Sequence, residues 1–231
     1  MTKQDPLKQH RKLGMLEPGA VASLADVPKE RAQFRAFIVG NPNYFGNILD
    51  SPLAPVVALA GNTTYEQLKC VGFHPQVNRL DAVVFTKQPF GYGGDVCSAG
   101  TPEYVRFYLS LDHGATWVDQ GVTSFTAFDV PAGATGGKRL EYAVSVPCSP
   151  PRKWCTVPNT ILAKAILSWN QVPPPDTPDY VPVWGNVHDT HVQVDPVWFI
   201  KWLDLFALAE VKLTPLEFDL LGATIDDAAG E

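Results

Sequence analysis

The sequence predicts a mostly β protein, an antiparallel β-sandwich of immunoglobulin-like or jelly-roll type. Glycine and proline contribute 18 and 21 of the 231 residues, an excess that favours turns over long helices. Several short segments alternate apolar and polar residues with a period of two, as half-buried strands do. No helical pattern of the length of a crossover helix lies between them, which favours antiparallel pairing over βαβ units.

The alternation is clearest in residues 104–111, where Val105, Phe107, Leu109 and Leu111 fall on one face. That face should be buried, because side chains two residues apart point to the same side of a sheet. The predicted strands cover residues 80–86, 104–111, 122–128, 140–146, 161–169 and 187–194, with a further strand at 56–60.

Composition divides the chain into three regions. Residues 1–35 are polar and interrupted by glycine and proline, which predicts an arm with a short helix capped by Asp26 and stopped after Gly40. Residues 36–195 form the sandwich, and residues 196–231 form a C-terminal helical segment. The C-terminal segment is predicted from a long apolar stretch followed by a helix start at a Thr-Pro-Leu-Glu sequence.

Residues 172–182 contain five prolines. Proline lacks a backbone donor and fixes φ, so this stretch predicts an extended connection that crosses from one sheet to the other. A recognition motif for an SH3-type partner is the alternative interpretation.

The apolar stretch at residues 197–209 concentrates four large aromatic side chains. It is too short to span a bilayer. It therefore predicts a helix that packs on the sandwich or forms an association surface with a protein partner or a second copy. The interface candidates are Trp198, Phe199, Trp202 and Phe206.

Charge and hydropathy exclude several function classes. The formal net charge is −6, which disfavours nucleic acid as the main partner. No apolar run is long enough for a membrane span, and the N-terminus has no apolar signal region. The expected location is cytoplasmic, with export by a route that needs no cleaved signal left open. No cofactor is predicted.

Residues 110–117 read Ser-Leu-Asp-His-Gly-Ala-Thr-Trp. In such a turn a carboxylate accepts bonds from backbone amides, a glycine takes positive φ, and a tryptophan packs beneath the hairpin. The segment resembles the Asp-box of sialidases and other β-propeller and β-sandwich proteins. The resemblance implies a structural hairpin away from any catalytic centre, built by Ser110, Asp112, Gly114, Thr116 and Trp117.

Residues 41–46, 91–100 and 166–170 are similar to segments of uncharacterised bacterial β-sandwich proteins, a resemblance that implies no function. Residues 91–100 form a glycine-rich loop that does not match a phosphate-binding motif, because no Lys-Ser or Lys-Thr follows. Its main interpretation is a connection between strands. If it contacts a ligand, Tyr92 and Asp95 are the expected contacts.

The four cysteines are Cys70, Cys97, Cys148 and Cys155. Their spacing permits two disulfides, Cys148 with Cys155 and Cys70 with Cys97, or free buried thiols. An all-cysteine zinc site is disfavoured because no Cys-x-x-Cys pair occurs.

His188 and His191 flank a carboxylate and a threonine. Residues three apart on a strand point to opposite faces, which disfavours a shared metal ion. Either histidine is also the nearest base for Cys97 as a nucleophile, but no catalytic signature surrounds that cysteine.

The function predicted from these observations is a non-enzymatic binding or assembly module, an adaptor or structural subunit of a larger bacterial complex. One alternative is a glycan-binding domain that uses Tyr92, Trp154 and Trp184 as exposed stacking platforms. The other is a metal- or thiol-dependent enzyme.

Overall fold

A computed structural model of the chain describes Arg31, Phe34 and residues 37–48, 51–56, 60–95, 97–131, 133–154 and 157–196. Of these residues, 44% lie in strands and 4% in helix, which confirms the mostly β class. The chain divides into two compact units. The larger contains the described residues up to Ser149 and Ile161–Val192, and the smaller contains those within Pro150–Thr160 and from Gln193 onward.

The described part of the chain contains seven strands in two antiparallel sheets, an arrangement consistent with a β-sandwich. One sheet has three strands in the order β1-β2-β5, and the other has four in the order β4-β3-β6-β7. The strands are β1 Glu66–His74, β2 Arg79–Thr86, β3 Thr101–Ser110, β4 Val118–Ala127, β5 Leu140–Pro147, β6 Thr160–Trp169 and β7 Val187–Gln193.

The period of two in the sequence sets the core. Alternate residues of β2 and β3, among them Leu80, Val84, Val105 and Phe107, have no exposed surface. Burying each of these side chains stabilises the fold by about 1.5–3 kcal/mol. Beside this core, the rings of Phe125 on β4 and Tyr142 on β5 stack 4.4 Å apart and join the two sheets.

Strand β1 was not predicted from the sequence. A register shift between Leu68 and Cys70 inserts an extra residue into its pairing with β2. The bulge interrupts the alternation, so Leu68 and Val71 are both buried although they are three residues apart. The prediction of a strand at 56–60 is not confirmed, because residues 56 and 60 lie outside strands and 57–59 lie outside the described residues.

The proline-rich segment does not cross between sheets as predicted. It connects β6 and β7, which are neighbours in the same sheet. The Arg106 Nε donates to the Pro173 carbonyl at 2.8 Å, and the Tyr108 hydroxyl donates to the Pro174 carbonyl at 3.2 Å. The segment therefore covers β3, which is why Arg106 and Tyr108 are buried on the face opposite the core.

The described residues at the N-terminal end are part of the core. Arg31, Phe34 and residues 37–40 are helical, and the helical path ends at Gly40. Phe34 packs with the rings of Phe45, Trp169 and Trp184 in an aromatic cluster. Arg31 and Phe34 come from the stretch predicted to be a polar arm, yet both are buried. Aromatic rings and two glutamates surround Arg31, and aromatic rings surround Phe34.

The smaller unit is described only in part. Within it, the Asn159 side-chain amide donates to the Pro151 carbonyl at 3.0 Å, and the Val194 N–H donates to the Asn159 carbonyl at 2.9 Å. The predicted C-terminal helical segment lies outside the described residues, as do Trp198, Phe199, Trp202 and Phe206.

None of the described helical residues belongs to a segment long and apolar enough to cross a membrane.

Candidate functional site

Strand pairing brings three basic residues to one cleft. Thr86 ends β2 and is paired with Leu140, which begins β5. The chain therefore continues into Lys87 on one side of this pair and into Lys138 and Arg139 on the other. We call the space between these two chain segments the basic cleft.

The basic cleft has a second wall built from consecutive turns. Backbone N–H groups of Ala134, Gly136 and Lys138 donate to the carbonyl three residues earlier, at 3.0–3.1 Å. The Val130 N–H donates to the Pro89 carbonyl at 2.6 Å and ties this wall to the chain that follows β2. The glycine-rich sequence permits the turns because Gly133, Gly136 and Gly137 all have positive φ.

The cleft has a volume of about 590 Å³, the size range of small-molecule sites. No aspartate or glutamate is among its described lining residues. Arg139 and Lys87 are exposed. The lining residues are Thr86, Lys87, Gln88, Pro89, Phe90, Pro131, Gly133, Thr135, Gly137, Lys138, Arg139 and Leu140.

The pKa of Lys87 depends on its partial burial, on a charge in the cleft and on a charge in the core. Partial burial lowers the pKa of Lys87, the nearby Arg139 lowers it further, and the buried Glu66 opposes the change. The Lys87 Nζ donates to the Thr63 hydroxyl at 3.3 Å. Arg139 packs its guanidinium over the Phe85 ring, 4.8 Å from the centroid. Two like charges are thus held close together, an arrangement that an anion between them would stabilise.

A buried ionic cluster lies directly behind this end of the cleft. Glu66 is paired with Thr86 across β1 and β2, so its carboxylate faces the core beneath the cleft. The Arg31 Nη2 donates to Glu66 Oε2 at 2.5 Å, and Arg31 Nη1 lies 3.9 Å from Glu103 Oε1. Arg31 is 2% exposed, and both glutamates are fully buried.

The two glutamates are not equivalent. Burial raises the pKa of Glu66, while Arg31 opposes the rise through its charge and its hydrogen bond. Burial raises the pKa of Glu103 well above its usual value, the charge of Glu66 adds to the rise, and Arg31 only partly offsets it. Glu103 is thus the carboxyl that retains a proton most strongly.

Two of the four predicted ligand contacts are buried, which corrects the expectation that they are exposed platforms. Tyr92 is 1% exposed and Trp184 is 3% exposed. The Tyr92 hydroxyl donates to the Tyr65 carbonyl at 2.6 Å, and burial raises the pKa of Tyr92. Trp184 contacts Trp169 edge to face, with the centroids 5.4 Å apart. Both rings belong to the buried core, Tyr92 from the glycine-rich loop and Trp184 from the chain just before β7.

The other two predicted contacts, Asp95 and Trp154, are exposed, and neither lines the basic cleft. Asp95 Oδ1 accepts a bond from the Cys97 N–H at 2.7 Å and from the Ser98 hydroxyl at 3.0 Å. These bonds lower the pKa of Asp95 and mark it as a turn residue. Trp154 is 40% exposed.

Residues 110–117 join β3 to β4 through a network centred on Asp112. Asp112 Oδ1 accepts from the Ser110 hydroxyl at 2.7 Å and the Thr116 N–H at 2.8 Å, and Oδ2 accepts from the Thr116 hydroxyl at 2.6 Å. Gly114 has φ 97° and donates its N–H to Ser110 Oγ at 2.7 Å. Trp117 packs against the buried cluster that contains Tyr108.

The structure does not bring the predicted metal and thiol candidates together. His188 and His191 lie on β7 at positions that point to opposite faces, and the described residues contain no group of three or more potential metal ligands. Cys70, Cys97 and Cys148 are free thiols, so the proposed disulfide between Cys70 and Cys97 is not formed. Cys155 lies outside the described residues.

Sequence reasoning missed every member of the basic cleft. The adjacent pair Lys138-Arg139, which follows a glycine-rich turn, could have indicated a binding site, because binding residues are often on loops that a rigid scaffold positions. Lys87 carries no such signal, because its proximity to Arg139 depends on the pairing of β2 with β5. The same holds for the ion pair of Arg31 and Glu66, which are separated by 35 residues.

Comparison with models of known protein families gave no match for this sequence, and comparison with curated proteins gave none either.

Proposed function

We propose that the chain is a binding module that takes a small anionic ligand in the basic cleft. The observation that carries the proposal is the convergence of Lys87, Lys138 and Arg139 on one cleft that has no carboxylate among its described lining residues. This convergence is local, since the formal charge of the whole chain is −6. The proposal keeps the non-enzymatic binding role predicted from the sequence and takes an immunoglobulin-like or jelly-roll sandwich as its scaffold.

The chemistry of the cleft defines the class of ligand. A guanidinium such as that of Arg139 matches the paired oxygens of a carboxylate or phosphate, and a lysine adds a point charge. Thr86, Gln88 and Thr135 supply neutral hydrogen-bonding groups, while Phe90 and Leu140 supply apolar contact. A ligand with one anionic group and a compact polar body fits this combination.

Calorimetry with inorganic phosphate, citrate, glucuronate and neutral glucose tests the proposal. We expect wild type to bind at least one anion, and the double variant Lys138→Gln, Arg139→Gln to bind it at least about tenfold more weakly, a loss of about 1.4 kcal/mol. Lys153→Gln is the matched control, because Lys153 is an exposed cation that does not line the cleft.

Three results of this experiment are decisive. If phosphate binds but citrate and glucuronate do not, or if the reverse holds, the result identifies the anionic group that the cleft recognises. Binding of glucose as strongly as glucuronate would contradict an electrostatic site and favour the glycan-binding alternative. Absence of binding in wild type, or unchanged binding in the double variant, would overturn the proposal.

A further inference from the structure

The Arg31 side chain is enclosed by four aromatic rings. Its guanidinium carbon lies 4.0 Å from the centroid of Tyr65 and 4.2 Å from that of Trp169. The rings of Tyr92 and Trp184 follow at 5.2 and 5.4 Å. Aromatic faces attract cations, and the attraction grows when water is excluded. We call these four rings, together with Glu66 and Glu103, the aromatic cage.

The aromatic cage is built entirely by residues other than those of the N-terminal helical segment. Tyr65 directly precedes β1, Glu66 begins β1, Glu103 lies on β3, and Trp169 ends β6. Tyr92 is held by its bond to the Tyr65 carbonyl, and Trp184 is held by a backbone bridge to Asn62. Arg31 therefore enters a cavity whose walls the sheets and their loops provide.

Arg31 contacts the rings of the cage closely but makes few hydrogen bonds to the two glutamates. Its Nη2 bonds Glu66, but Nε and Nη1 have no hydrogen-bond partner among the described residues. Neither oxygen of Glu103 accepts a hydrogen bond in that part of the chain, although the residue is fully buried. The cage holds two carboxylates for one cation, so its capacity to bind donors exceeds what Arg31 uses.

We propose that the aromatic cage is a binding site for a guanidinium group, and that Arg31 occupies it as an intramolecular ligand which an external guanidinium can replace. A planar guanidinium stacks on the flanking rings while its edge presents N–H donors to carboxylates. A free guanidinium is not tethered to a helical backbone. It can therefore move the roughly 0.7–1.2 Å by which the 3.9 Å distance between Arg31 Nη1 and Glu103 Oε1 exceeds a hydrogen bond.

The test uses the full chain with Arg31→Ala and the probe methylguanidinium, read by tryptophan fluorescence and by thermal denaturation. We expect a saturable fluorescence change and a rise of the thermal midpoint in the variant, and a response at least about tenfold weaker in wild type, whose site is filled. N-methylurea has a similar shape without the charge and should give no response. Tetramethylammonium should respond more weakly than methylguanidinium, because it has no N–H donors.

Two further variants make the test specific. Adding Glu103→Gln to Arg31→Ala should weaken the response to methylguanidinium, since one of the two carboxylates is lost. Arg152→Ala removes an exposed arginine outside the cage, and it should behave as wild type. If Arg31→Ala does not fold, we expect methylguanidinium to restore its native circular dichroism while N-methylurea does not.

The proposal is overturned if the folded variant shows no saturable response, if wild type responds equally, or if an unfolded variant is not rescued. Anion binding at the basic cleft is measured with different probes and different variants, so either proposal can fail without the other.

Discussion

The same residue type has different hydrogen-bond partners at two positions in the core. Glu66 is hydrogen-bonded to Arg31 at 2.5 Å, whereas Glu103 reaches Arg31 only at 3.9 Å and accepts no hydrogen bond within the described residues. Removing one partner of a buried pair leaves an uncompensated charge, but removing a poorly paired buried charge relieves desolvation. Burial alone therefore does not determine what a glutamate contributes to stability.

Glu103→Gln should raise the free energy of unfolding at pH 8 more than Glu66→Gln does. Burial raises the pKa of both carboxyl groups, so a neutral side chain is favoured at both positions, but the charge and hydrogen bond of Arg31 compensate part of this effect at Glu66. Because the folded state raises the pKa of Glu103 above 4.5, the folded chain holds this proton more tightly than the unfolded chain. Its stabilising contribution is therefore present at low pH and is lost as the pH rises.

Urea denaturation at pH 4.5 and pH 8 measures this difference. The free energy of unfolding of Glu103→Gln should exceed that of wild type by less at pH 4.5 than at pH 8, because the folded wild-type chain holds the Glu103 proton at the lower pH. Equal changes of the free energy of unfolding in both variants at both pH values would show that the two carboxyl groups share Arg31 equally.

Asp112 is exposed, and it stabilises its turn by accepting hydrogen bonds. The bonds from the Thr116 side chain and backbone, followed by that from Ser110, lower the pKa of Asp112 to about 2. Its stabilising contribution is present above the usual value of 3.8 and is lost as the pH falls toward about 2.

We expect Asp112→Ala to lower the thermal midpoint at pH 7, because the turn amides and hydroxyls lose their acceptor. The difference from wild type should narrow between pH 4 and pH 2, as the wild-type carboxylate becomes protonated. Thermal scans across this pH range provide the measurement, with Glu141→Ala, an exposed carboxylate on β5, as the control. A constant difference at all pH values would exclude the carboxylate charge as the cause.

At the scale of elements, hydrogen bonds outside the regular strand pairing help to hold the strands in place. The Asn186 side chain accepts from the Leu68 N–H at 2.8 Å and donates to the Leu68 carbonyl at 3.1 Å. A side-chain amide thereby takes the place of a neighbouring strand at the edge of β1. This contact joins a residue of one sheet to the chain just before β7, and the sequence carries no local pattern that indicates it.

Gly185 lies at the same junction and should tolerate no side chain. Its φ is +116°, and a Cβ at this position would overlap the Leu167 carbonyl. We expect Gly185→Ala to lower the free energy of unfolding by about 3 kcal/mol through strain and overpacking. Gly72→Ala is the control, because a Cβ there meets no atom within 4 Å, and it should change stability by less than about 1 kcal/mol.

Chemical denaturation of both glycine variants gives the comparison. Similar stabilities of Gly185→Ala and Gly72→Ala would mean that the chain around Leu167 adapts without cost.

At the scale of the whole molecule, the fold gives the three described thiols different exposure to solvent. Cys70 and Cys97 are exposed, while Cys148 is buried and burial raises its pKa to about 11. The thiolate is the reactive form, so both access and ionisation protect Cys148.

Alkylation of the native chain by iodoacetamide at pH 7.5, followed by peptide mass mapping, should label Cys70 and Cys97 first. Cys148 should be labelled only after unfolding in denaturant. If Cys70 and Cys97 resisted labelling until a reductant was added, they would be joined as a disulfide. Equal native rates for Cys148 and Cys70 would contradict its burial.

The sequence by itself determined the mostly β class and most of the strands, because their period-two alternation is a local property that survives in any sheet arrangement. It did not reveal β1, where a bulge breaks the alternation. It assigned Tyr92 and Trp184 to the surface, since aromatic residues in loops carry no local sign of burial.

Only the tertiary structure decided which residues meet. Arg31 contacts Glu66 across 35 residues of sequence, and Lys87 reaches the same cleft as Arg139 through the pairing of Thr86 with Leu140. Electrostatic and cation–aromatic contacts depend on distances of a few ångströms. Such distances follow from strand order and register, which no single segment of the sequence encodes.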